Sequence, residues 1–221
     1  MTERSSGAAV VSSGVLLAAR GVAKRWDASS GLAAVDLDIA RGEVVALTGR
    51  SGSGKSMVLA VLAGWCAPDD GVVVRAAELD DGDAWQRWGG IAVVPQVLGL
   101  VEELSVGENV DLVLRLAGVS RTRRTPIVAD LLDRLDLSDH AGRLPRETSL
   151  GQQQRVAVAR AVVGSPIVVL ADEPTCHQDG DHISAVLSVL RRVADDGGGV
   201  LVASHDDTVA GAADRIVSLD D

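Results

Sequence analysis

The chain has 221 residues, a formal net charge of −10, 47% hydrophobic residues, and four Trp but no Phe or Tyr. That hydrophobic fraction excludes disorder for most of the chain, and the acidic balance argues against nucleic acid, whose binders carry a basic footprint. The longest uncharged run, Ser5–Ala19, is punctuated by Ser and Gly, falls short of the roughly 18 apolar residues of a membrane-spanning helix and lacks the basic start of a secretory signal.

In chain order, residues 1–14 read as a flexible arm rich in Ser, Gly and Ala. Short apolar runs of strand length follow at Val15–Ala19, Ala33–Ile39 and Glu43–Thr48. The run Val44–Leu47 does not alternate, as in a strand covered on both faces. A Gly/Ser stretch then precedes a helical segment, Ser56–Gly64, and Gly71–Val74 and Ile91–Val94 are further strand candidates. Between Val106 and Leu137 the apolar spacing approaches 3.6 and predicts helices, one starting at Thr125–Pro126 because Pro suits a first helical position. Gly151–Gly164 reads as a helix, Ile167–Ala171 as a buried strand, Asp181–Ala194 as a helix, and Val200–Ala203 and Arg215–Leu219 as strands. Strands alternating with helices predict an α/β fold with a largely parallel sheet. Cys66 and Cys176 make no disulfide framework and suit a reducing, cytoplasmic compartment.

The first chemical signal is Gly49-Arg50-Ser51-Gly52-Ser53-Gly54-Lys55-Ser56, with Met57 behind it. It is a GxxxxGK[ST] loop between a strand and a helix, the context the motif requires. Glycines let the backbone wrap a phosphate, and successive N–H groups with the helix N-terminus supply donors and positive dipole. Lys55 is placed to bridge β- and γ-phosphate oxygens, and Ser56 to offer its hydroxyl to Mg²⁺. The second signal is a buried apolar strand ending in Asp172-Glu173. Asp172 suits Mg²⁺, and Glu173 suits polarisation of an attacking water.

Together these residues resemble the nucleotide-binding subunit of an ATP-binding cassette (ABC) transporter, over about residues 15–219. Gln96 resembles the family's glutamine loop, a Mg²⁺ and γ-phosphate contact, and Thr148-Ser149-Leu150-Gly151-Gln152 resembles the LSGGQ signature. Asp179 resembles the dimer-contact aspartate, His205 the switch histidine, and Trp26 the aromatic residue stacked on adenine. The resemblance implies a P-loop NTPase core with an N-terminal antiparallel β subdomain and an inserted helical subdomain at about 97–160, all within one domain, 15–221. It implies ATP and Mg²⁺ as ligands, with ATP sandwiched between the phosphate loop of one subunit and Ser149, Gly151 and Gln152 of the other. It further implies a permease partner, a second ATPase subunit, and a peripheral place on the inner face of the cell membrane. The segment Leu104–Val110 looks most like the lipoprotein-release and macrolide-export group.

Two departures stand out. Leu150 replaces the family's Gly and Thr148 its Leu, while Cys176-His177-Gln178 replaces the usual residues before Asp179. A leucine at positive φ would cost about 1–3 kcal/mol and reduce turnover as a homodimer, or favour a different partner subunit. At negative φ it still offers its N–H. His140, His177 and His182 lack metal spacing and read as solvated, and Trp65, Trp85 and Trp88 as packing, with the last two also placed to line a permease groove. The rival readings are a soluble ABC ATPase acting on a nucleic-acid or ribosomal partner, and a nucleotide-dependent regulatory module with little turnover. The interval from Lys55 to Asp172 leaves no room for the coiled coil of DNA-repair relatives.

Overall fold

The computed structural model describes residues 13–25, 31–80 and 90–220. Two sheets form the core. One is antiparallel, with β1 (Val15–Arg25) between β2 (Gly31–Ala40) and β4 (Asp70–Arg75). The other has five strands in the order β5 (Ile91–Val94), β6 (Val168–Asp172), β7 (Gly199–Ala203), β3 (Val44–Thr48) and β8 (Arg215–Ser218), and every pairing in it is parallel. Strands β6 and β7 are buried along their whole length, which explains why Val, Leu and Ala run there without alternation. In the absence of Phe and Tyr, two clusters of Val, Leu, Ile and Ala fill the core. One lies between the sheets and α1 (Lys55–Leu62); the other lies under the helices that follow β5.

Those helices are α3 (Val106–Leu116), α4 (Arg121–Arg134) and α5 (Leu150–Val162), after the short α2 (Ala77–Asp80). The helices α6 (Gly180–Asp195) and α7 (Asp207–Ala212) flank β7 in the chain. Because β3, β5, β6 and β7 are parallel, their C-terminal ends share one edge of the sheet. A ligand cleft at that edge is the general outcome for open α/β sheets.

Two expected boundaries move by more than two residues. Strand β1 continues past Ala19 to Arg25, through a register shift between Ala19 and Val22 that keeps Val22 paired with Val35. Helix α4 begins at Arg121, not Thr125, and carries Pro126 inside it. The upstream turn is fixed by tertiary contact: Arg124 pairs with Asp111 of α3 at 2.7 Å and donates to the Val119 carbonyl at 3.0 Å. Ser120 O also accepts from Arg123 and Arg124 N–H. These contacts hold the turn although Pro126 lacks the N–H of a normal helical rung.

Candidate functional site

The Gly49–Ser56 loop leaves the end of β3 and enters α1, whose first residue is Lys55. Gly54 caps that helix at φ 101, a conformation that calls for glycine, and a Cβ there would press on the Leu32 Cδ1 methyl at 2.8 Å. The loop closes around its own lysine: Lys55 Nζ donates to Gly49 O at 2.7 Å and Arg50 O at 3.2 Å, leaving Lys55 9% exposed. Arg50 N–H donates to the Asp220 carboxylate at 2.9 and 3.1 Å, which pins the loop's base to the end of the chain.

Facing the loop is a cleft of about 730 Å³. It brings Ser51, Gly52, Gly54, Lys55, Ser56 and Met57 together with Gln96, Asp172, Glu173, Cys176 and His205. Gln96 arrives from beyond β5, Asp172 and Glu173 from the end of β6, and His205 from beyond β7. Burial pushes the Asp172 carboxyl above the usual carboxylate range, aided by the charge of Glu173 and opposed by the Ser56 hydroxyl and Lys55. Glu173 sits at φ 48, a left-handed conformation uncommon outside glycine. Its N–H donates to Ala203 O at 2.8 Å, Ser204 Oγ donates to its Oε2 at 3.0 Å, and His205 Nδ1 lies 2.8 Å from its Oε1. Burial, then the charge of Glu173, raise the Cys176 thiol, so it stays protonated beside that carboxylate.

Gly49, Arg50 and Ser53 belong to the loop without lining the cleft, and Ser149, Gly151, Gln152 and Asp179 lie outside it, at the starts of α5 and α6. Ser149 caps α5 in a reciprocal box: its Oγ accepts from Gln152 N at 3.2 Å, and Gln152 Oε1 accepts from Ser149 N at 2.9 Å. Gly151 packs so closely on the loop before α6 that a Cβ would stand 2.7 Å from His177 O. Asp179 caps α6, and the backbone N–H and then the ring of His182 hold its carboxyl below the usual range. Leu150 is the first residue of α5, is absent from the positive-φ residues, and is 52% exposed. The strained-backbone branch of the Leu150 expectation therefore does not apply. Trp26, Trp85 and Trp88 lie outside the described residues.

Several residues escaped the sequence reading. Asn109 is fully buried and laces the segment before α3: its Oδ1 accepts from Val101 N, and its Nδ2 donates to the carbonyls of Val101, Leu104 and Ser105. Arg160 donates to Leu98 O and Gly99 O, just beyond Gln96. Gln154 Nε2 reaches Glu173 O at 3.4 Å. The solvated reading fails for two histidines. His140 Nε2 lies 2.8 Å from Gln152 Nε2, and His182 stands between Asp179 and Asp136. His140 lies in the connector between α4 and α5 and His182 in the first turn of α6, and the contacts of His140 with Gln152 and of His182 with Asp136 form only in the folded chain. Trp65 is not packed but 63% exposed, at the rim of an apolar groove with Leu79, Leu112 and Leu116.

The parallel sheet and its phosphate loop define a P-loop nucleotide-binding fold. Residues 32–176 match the family profile described as ABC transporter, and the chain belongs to that family. It is 39% identical over 194 residues to an uncharacterised ABC transporter ATP-binding protein of Mycobacterium tuberculosis, covering 84% of this chain and 58% of that one. It is 37% identical over 216 residues to the macrolide export ATP-binding/permease protein MacB of Nitrosomonas europaea, covering 93% and 33%. With the ABC transporter ATP-binding protein YtrE of Bacillus subtilis the identity is 36% over 182 residues, 80% and 79% of the two chains. A solved dimeric ATP-binding cassette in a post-hydrolysis state, bound to ADP and Pi, superposes with a TM-score of 0.80 at 32% identity, covering 92% and 94%. The chain thus spans just over half the length of the Mycobacterium relative and a third of MacB.

Proposed function

We propose that the chain is the ATP-binding and ATP-hydrolysing subunit of a membrane ABC transporter, of the export or lipoprotein-release type. The observation that carries this reading is the Glu173 carboxylate, held by Ser204 and His205 across the cleft from Lys55. A half-buried acid at that place suits removal of a proton from water attacking a γ-phosphate, and a regulatory module without turnover has no use for it. In this reading the loop amides and Lys55 bind the phosphates. Ser56, Gln96 and Asp172 form a hard oxygen donor set that fits Mg²⁺ alongside phosphate oxygens. When bound, Mg²⁺ would offset charge on the phosphates.

The geometry supports an order of steps. Both oxygens of Glu173 are engaged, by Ser204, which is 3% exposed, and by the 71% exposed side chain of His205. His205 is the partner free to leave. When it turns to a γ-phosphate, Oε1 is released for water. The starts of α5 and α6, with Ser149, Gly151 and Asp179, are offered to the nucleotide of a second subunit. The groove of about 560 Å³ rimmed by Trp65 and Leu116 suits a permease segment, and docking there would hold the subunit at the inner face of the membrane. Among the described residues no helix is long and apolar enough to cross a membrane. The cognate assay is Mg²⁺-dependent release of phosphate from ATP. Glu173→Gln should lower kcat at least about 100-fold with ATP affinity unchanged, and full turnover in that variant would remove Glu173 from the mechanism.

A further inference from the structure

His140 lies in the turn Ser138–His140 between α4 and α5, half-buried, with its Nε2 2.8 Å from Gln152 Nε2. Its Nδ1 is buried with no hydrogen-bond partner among the described residues. The orientation of the Gln152 amide is set at its other side, where Oε1 accepts the Ser149 N–H at 2.9 Å. With its oxygen committed, the amide presents only its NH₂ to the ring, so His140 Nε2 must accept and the proton must sit on Nδ1. Flipping the amide would set NH₂ against the Ser149 N–H, and moving the ring proton to Nε2 would set donor against donor. One arrangement satisfies the chain from His140 through Gln152 to Ser149, at the cost of an Nδ1–H without an acceptor among the described residues.

The same connector makes a second tether. Asp136, at its other end and at φ 52, is 3.2 Å from His182 Nε2, while His182 Nδ1 is 2.6 Å from Asp179 Oδ1. Residues 136–140 therefore reach, through two histidines, both the Ser149–Gln152 turn and the Asp179 loop. We infer that His140 is a positioning residue for the Ser149–Gln152 turn: it fixes the Gln152 amide and thereby the pose in which Ser149 and Gly151 meet the nucleotide of a second subunit. The consequence for the second subunit rests on the proposed function; the hydrogen-bond arrangement itself does not.

Two measurements on the full chain test it. Long-range ¹H–¹⁵N NMR of the nucleotide-free protein should find His140 as the Nδ1–H tautomer, the minor form of free histidine, and Gln152→Ala should abolish that preference. An Nε2–H ring in the unaltered chain, or a preference that survives Gln152→Ala, overturns the inference. In the Glu173→Gln background with Mg²⁺-ATP, His140→Leu should weaken dimerisation about tenfold or more while monomer ATP binding is kept. His140→Gln puts an amide oxygen where Nε2 stood and should restore the dimer to within about threefold. Equal dimerisation by the Leu variant, or no rescue by the Gln variant, also overturns it. A Glu173→Gln parent that binds ATP without dimerising counts against the second-subunit reading alone, and the tautomer still decides the positioning of Gln152.

Discussion

At the scale of single residues, the backbone decides what Leu150 does. At the first position of α5 it has an ordinary helical conformation, and its side chain points to solvent. Leucine there offers the same N–H as glycine and disfavours the unfolded chain's extra freedom. Leu150→Gly should therefore change ATPase turnover less than about threefold and cost about 0.5–1 kcal/mol of stability; steady-state assays and chemical unfolding read the two effects separately. A gain of tenfold would mean that the leucine side chain itself obstructs the second subunit. The phosphate loop and Asp172-Glu173 were legible in the sequence because their chemistry is local, with neighbours in the chain facing one ligand. The contacts of His140 with Gln152 and of His182 with Asp136 were not, since these pairs stand 12 and 46 positions apart and are fixed only by packing.

At the scale of elements, ion pairs tie the sheet's edge to its turns. Glu43, in the turn before β3, accepts from Arg215 at the start of β8 through both oxygens, at 2.7 and 3.2 Å, and from Ala40 N–H at 3.0 Å. Burial pushes its carboxyl up, but the Arg215 hydrogen bond, the Ala40 N–H and the Arg215 charge together bring it below the usual glutamate value. A depressed folded value means stability that is present above about pH 4.5, the ordinary glutamate range, and lost as pH falls through the folded value. Glu43→Gln should lower stability by about 1 kcal/mol near neutrality, after discount for the part-exposed arginine, or about 2–4 °C in Tm. Melts of both proteins should converge as pH falls through the depressed Glu43 value, below the ordinary glutamate range, and a pH-independent gap would assign the loss to packing. Element order was readable from apolar runs and turn residues. The start of α4 was not, because Pro126 is a local signal and the Arg124–Asp111 pair that overrides it spans two helices.

At the scale of the whole molecule, charge sets the condition for assembly. Each copy carries a formal −10, and bound ATP adds negative charge at the face where two copies would meet. Contacts made there by Ser149, Gly151 and the start of α5 are short-range and weakly screened. The repulsion between whole subunits acts over the Debye length, about 30 Å at 0.01 M salt and about 8 Å at 0.15 M. Raising ionic strength over that interval should therefore tighten the Mg²⁺-ATP-bound dimer of Glu173→Gln, opposite to the weakening expected of an interface steered by complementary charge. Sedimentation or light scattering at fixed free Mg²⁺-ATP reads the dissociation constant at each salt concentration. The expected fall is severalfold. A dimer that loosens with salt would mean that local ion pairs across the interface outweigh the net charge, and that the second subunit is recognised by charge complementarity.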